Sequence, residues 1–134
     1  MEVLRPSPHI LLDTHAAIWF FKDITKLSNP AATAIYNLDN MIYVSMASVW
    51  ELAIKLGTGK LTLEGGIDSF IEAIHKNNFR LLEISLAHIK TVKGLPLIHR
   101  DPFDRMLVAQ AMAACMDIIT IDENILKYDV GVIW

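Results

Sequence analysis

The chain has 134 residues, 53% of them hydrophobic, with a net charge of -3 and a sequence pI near 5.9. That length suits one domain with its own core, and the acidic balance excludes a protein that coats nucleic acid by bulk positive charge, though not one that cuts it. The apolar run Ala16 to Phe21 falls far short of the roughly 18 residues a membrane helix needs, and the lone cysteine, Cys115 in AMAACM, is expected as a buried thiol in a reducing cytoplasm.

Residues 1-8, with Glu2, Pro6 and Pro8, read as a flexible extension without the basic and apolar parts of a signal peptide. HILLD, from His9 to Asp13, is a buried strand that stops at an acid. THAAIWFFK follows as a helix apolar nearly all round, which predicts burial on more than one side. Ser28-Asn29-Pro30 opens a helix over AATAIYNL. MIYVS from Met41 is a second strand, and Ser48 is expected to start the helix SVWELAIKLG that Gly57 ends. After the loop TGKLTLEGG, IDSFIEAIHK has helical period. FRLLEI is a third strand, and LAHIKTV a short helix stopped by Gly94 and Pro96. A helix runs from Pro102 through Ala114, and IITI, ENILKY and VGVIW finish the chain as strand, short helix and strand. Strands alternating with helices predict a single α/β domain over 1-134, a three-layer α/β/α sandwich with a central, mostly parallel sheet.

Ligands of an open parallel sheet bind beyond the carboxyl ends of its strands. Asp13 and Asp122 each close a strand and so lie at that edge, whereas Asp39 and Asp117 precede strands and belong to the opposite one. Glu51 and Asp104 sit in helical segments between them. Each acid has an ordinary alternative. Asp13 and Asp122 suit helix N-caps; Glu51 has the capping-box spacing to Ser48 and the ion-pair spacing to Lys55; Asp104 suits a helix first turn, with Asp101 the more natural cap. Together they predict one acidic pocket. Clustered carboxylates cannot all stay ionised without a compensating charge, and four of them without a histidine or cysteine partner select a hard cation, Mg2+ or Mn2+. Such ions activate water and stabilise both oxygens of a phosphodiester displacement.

The blocks LLDTHAAIWF, SMASVWELAIKLGTGKL, HRDPFDRMLVAQA and TIDENILKYDVGVIW resemble, in order and separation, the acidic motifs of PIN domains. The likeness is to the branch of VapC-like ribonuclease toxins of type II toxin-antitoxin systems, over about residues 9 to 134. It implies a Mg2+- or Mn2+-dependent endoribonuclease of single-stranded RNA. Asp13, Glu51, Asp104 and Asp122 would be catalytic, with Asp13, Asp104 and Asp122 on the metal. It further implies a small antitoxin that blocks the site, and a toxin homodimer. Thr120 matches a polar position of the family, where it would orient a metal-bound water or an acid; a strand-end threonine satisfied by backbone is the other reading.

Other residues are open to two readings. Arg105 is a phosphate or carboxylate partner or a structural residue. His15 and His99, near the acids, are candidates to touch substrate, although the five histidines show no zinc-ligand spacing. Trp19, Phe20, Phe21 and Trp50 suit RNA bases or the core, and the pairs Lys22/Lys26, Lys55/Lys60 and Arg100/Arg105 suit a phosphate track or a solvated face. Gly57-Thr58-Gly59-Lys60 is no phosphate loop, because Ile54 stands where a glycine is required and Leu61 follows the lysine. A phosphoacceptor receiver needs an acid pair at the end of its first strand, and Leu12-Asp13 supplies one acid. A catalytically silent binding module, or a nuclease without an antitoxin, are the alternatives; the silent module should have lost an acid.

Overall fold

The computed structural model describes residues 8-134, so the extension expected over 1-8 lies outside the described residues except for Pro8. The elements are β1 (His9–Leu12), α1 (Thr14–Lys22), a 3-10 turn (Ile24–Lys26), α2 (Asn29–Tyr36), β2 (Met41–Ser45), α3 (Met46–Gly57) and α4 (Gly66–Lys76). β3 (Arg80–Leu82), α5 (Leu86–Gly94), α6 (Pro102–Ala114), β4 (Asp117–Ile119), α7 (Glu123–Leu126) and β5 (Val132–Ile133) follow. Among the described residues the strands form one five-stranded sheet in the order β3-β2-β1-β4-β5, parallel at every pairing.

Side-chain alternation along the strands builds two cores, one on each face. Ile10 and Leu12 of β1, with Ile42 and Val44 of β2, pack beneath Ala16, Ala17, Ala31, Leu52 and Phe70 of α1 to α4. Leu11 and Ile118 point the other way, against Leu107, Val108 and Ile125 of α6 and α7. A sheet covered on both faces needs strands apolar at successive positions, which is why HILL and DII read as continuous runs. Each fully buried Leu or Ile of β1 contributes roughly 1.5–3 kcal/mol. The predicted three-layer α/β/α architecture is thus the observed one.

The differences lie at element ends. β3 and β5 are shorter than FRLLEI and VGVIW; at their C-terminal ends this is because β2 ends at Ser45 opposite Leu82 and β4 ends at Ile119 opposite Ile133, which leaves Glu83, Ile84 and Trp134 no strand residue to pair with. α3 begins at Met46, ahead of the expected Ser48, since Ser45 Oγ accepts the Ala47 N–H at 3.0 Å and is the cap. Cys115 is exposed, not buried. It takes a left-handed backbone (φ 54°) where the chain turns from α6 into β4, and the neighbouring Met116 fills the core in its place. Among the described residues, no helix is long and apolar enough to cross a membrane.

Candidate metal centre

β1 has β2 on one side and β4 on the other, so the strand order switches direction between β1 and β4. Asp13 and Asp122 follow those two strands. Asp13, buried beside the sheet, donates its backbone N–H to Ile119 O at 3.1 Å and accepts the Ala16 N–H on Oδ1 at 2.7 Å, capping α1. Asp122 caps α7, its Oδ1 accepting the Asn124 N–H at 2.8 Å. Thr120 joins the two: its Oγ1 accepts the Asp122 N–H at 3.0 Å, and its hydroxyl bonds the Asp13 carboxylate. Asp101 caps α6 through the Phe103 and Asp104 N–H groups, at 2.8 and 3.1 Å, which sets Asp104 in the first turn. Capping and convergence are therefore the same arrangement, because helices that start at the carboxyl edge of the sheet bring their first-turn acids to it.

A cleft of about 350 Å3 results, lined by Asp13, His15, Trp19, Glu51, Lys55, Asp101, Asp104, Ile121 and Asp122. Glu51, 4% exposed, enters from α3. Its Oε1 accepts the Thr14 hydroxyl at 2.7 Å, its Oε2 pairs with Lys55 Nζ at 2.7 Å, and Thr14 Oγ1 lies 2.8 Å from Ser48 Oγ. The anticipated Lys55 pair forms. The Ser48 capping box does not, since Ser48 is already inside the helix and turned to Thr14.

His99 supplies what the reading of acids alone lacked. Its Nε2 lies 3.0 Å from Asp104 Oδ2 and 2.8 Å from Asp122 Oδ2, while Nδ1 accepts the Asp101 N–H at 3.2 Å. Among the described residues, His99, Asp104 and Asp122 form the group whose possible ligand atoms all fall within 4.8 Å of one another. Asp13 lines the same cleft outside that tight group. The sequence carries one hint of His99: it stands two residues before the cap of the helix that bears Asp104.

Crowding shows in the acidities. Burial, then the charge of Asp101, pushes Asp104 up to about 7, against the attraction of His99; Glu51 and Asp122 push the same way. Burial also raises Asp13, against its bonds from Thr120 and Ala16 N–H. Burial would raise Asp122 too, but the His99 and Asn124 hydrogen bonds together outweigh it and hold that carboxyl below its ordinary value. Lys55 is raised, first by its bond to Glu51. A set of carboxylate oxygens so crowded that Asp104 tends to keep its proton fits a hard divalent cation, which would replace that proton as the neutralising charge.

The remaining candidates divide. His15 and Trp19 line the cleft, with their rings 5.9 Å apart. Lys60 lies next to it, lining a small cavity with Thr14, His15 and Lys55. Phe20 and Phe21 pack on Phe79, so these two rings belong to the core side. Trp50 is 60% exposed, edge-on to Phe103 at 5.1 Å. Arg105 does not line the cleft. Its guanidinium donates to Pro96 O at 3.0 Å, Val92 O at 3.1 Å and Tyr128 Oη at 3.3 Å, clamping the segment that leads to His99.

Solved structures share this architecture. The VapBC2 complex of Rickettsia felis, bound to a promoter DNA fragment, matches with a TM-score of 0.67 at 14% identity, over 92% of this chain and 96% of that one. A toxin-antitoxin complex from Klebsiella pneumoniae gives 0.66 at 18% identity, over 93% and 96%. FitAcB of Neisseria gonorrhoeae gives 0.61 at 19% identity, over 92% and 95%. Comparison with curated proteins gives no match. The family model described as PIN domain matches residues 10–131, from the first strand to the approach to the last, and the chain belongs to the PIN domain family.

Proposed function

We propose that this PIN domain is a metal-dependent endoribonuclease that hydrolyses phosphodiester bonds in single-stranded RNA, acting as the toxin of a toxin-antitoxin pair. The observation that carries the reading is the meeting of Asp104 and Asp122 at ligand spacing in a cleft shared with Asp13 and Glu51. In this reading Asp13, Asp104 and Asp122 hold Mg2+ or Mn2+, and the bound cation supplies Lewis acidity for the hydrolysis. The protein's own part is positional. Thr120 ties Asp13 to the strand that leads to Asp122, Thr14 and Lys55 hold Glu51, and Lys55 brings positive charge to an otherwise acidic cleft for the scissile phosphate. Trp19 and His15 offer ring faces beside it for flanking bases.

The toxin-antitoxin assemblies that share this fold support the partner in this reading, a small antitoxin that would cover the cleft and suppress cleavage. Large exposed apolar side chains on α3 and α5, Trp50, Leu86 and Ile89, support a homodimer. The test is incubation of purified protein with single-stranded RNA. Cleavage with Mn2+ or Mg2+ that stops in EDTA is expected; cleavage that persists in chelator, or none with either metal, overturns the reading. Full activity in a purified antitoxin complex would remove the toxin assignment and leave a stand-alone nuclease.

A further inference from the structure

We propose that His99 is the positioning residue of the metal centre: its Nε2–H ties one oxygen each of Asp104 and Asp122 together, and it acts as a hydrogen-bond donor and not as a ligand. The proposal rests on the reading that these acids bind a divalent cation. By distance alone, His99 would count as a third ligand, since its nitrogen shares the 4.8 Å group with the two carboxylates. Hydrogen-bond chemistry decides otherwise. A neutral imidazole has one N–H, and its partners determine which nitrogen bears it. The Asp101 backbone N–H can only donate, and it points at Nδ1 from 3.2 Å. Nδ1 is therefore the acceptor, and the proton sits on Nε2. There it faces acceptors, Asp122 Oδ2 at 2.8 Å and Asp104 Oδ2 at 3.0 Å. A nitrogen that carries a proton has no lone pair in the ring plane to give a metal.

The ring is held in this orientation from several sides. Asp101 cannot easily withdraw its N–H, because its own side chain is engaged as the α6 cap. The His99 backbone N–H donates to Tyr128 Oη at 2.8 Å, and its carbonyl accepts from Arg105 at 3.4 Å. The shared N–H occupies one lone pair on each carboxylate, and an ionised carboxylate offers about four such sites, so both acids can still bind a cation. Outer partners of this kind fix the direction of metal ligands, and their loss typically costs about 10–100-fold in metal affinity.

The experiment is calorimetric Mn2+ binding to the full chain, with metal-free melting, for wild type, His99→Ala and His99→Gln. Glutamine keeps an N–H donor at similar reach and removes the imidazole. His99→Ala is expected to bind Mn2+ about 10-fold or more weakly and to melt lower without metal, whereas His99→Gln stays close to wild type in both. Equal weakening in both variants would make His99 a ligand; tighter binding by His99→Ala would make it an occupant that the ion displaces; an unchanged His99→Ala would leave it no role. Each of these overturns the proposal. Should His99→Ala fail to fold, His99→Gln decides alone, since a loss of about tenfold there contradicts a donor role. A wild type that binds no Mn2+ brings down the metal-nuclease reading itself, and this inference with it, whereas wild-type binding with a contrary variant pattern removes only the role of His99.

Discussion

Asp104 is held up to about 7 because burial and the charge of Asp101 outweigh the attraction of His99. Between its ordinary value of 3.8 and about 7, the folded chain therefore binds more protons at this site than the unfolded chain does. Stability from this group is full at acid pH and is lost as pH rises through that window. Buried Asp13 works in the same direction, while Asp122, held low, has the opposite sign and loses its contribution as pH falls. The metal-free melting temperature of wild type should carry a component that falls from pH 5 to 8, and Asp104→Asn should remove it, melt higher at pH 8 and abolish RNA cleavage. Asparagine sacrifices no cap, since Asp101 caps α6. Mn2+ should raise the melting temperature of wild type more than that of the variant. Equal pH profiles for the two proteins would refute the assignment. Thr14 makes a second case. Thr14→Val leaves a buried Glu51 oxygen without its donor and should cost about 1–3 kcal/mol in urea unfolding, with Thr14→Ser close to wild type.

Element boundaries show what patterning conveys and what it omits. The helix over THAAIWFFK and the strand MIYVS were legible because their apolar runs and the residues that bound them are local. The start of α3 was not, because Ser45 and Ser48 both precede helical sequence, and only Thr14, far away in sequence, draws Ser48 into the interior. Strand lengths at the sheet edges were hidden for a similar reason, since a neighbour's end decides them. Arg105 ties α6 to the end of α5 and the segment that follows it. Arg105→Ala should cost about 1.5–3 kcal/mol, and Arg105→Lys should recover less than half, because an ammonium cannot span the Pro96 and Val92 carbonyls as the fork does. Denaturant midpoints of the three proteins check this.

At the scale of the molecule, the parallel sheet could be read from alternating runs, and chain polarity sorted Asp13 and Asp122 from Asp39 and Asp117. His99 was legible only as a candidate to touch substrate; its bonds to Asp122 and Asp104 escaped, because they depend on how the loop before α6 folds back. The proposed homodimer makes its own prediction. Wild type should scatter light as a dimer at micromolar concentration, and Trp50→Glu, which puts a charge on an exposed apolar face outside the cleft, should shift it towards monomer. A wild-type monomer across that range would exclude the dimer. The switch between β1 and β4 has a further consequence in time. Asp13 and Asp122 follow paired strands that are separated in sequence by β2, β3 and the helices between, so the pocket forms only when the long segment joining them has folded and β4 has closed onto β1.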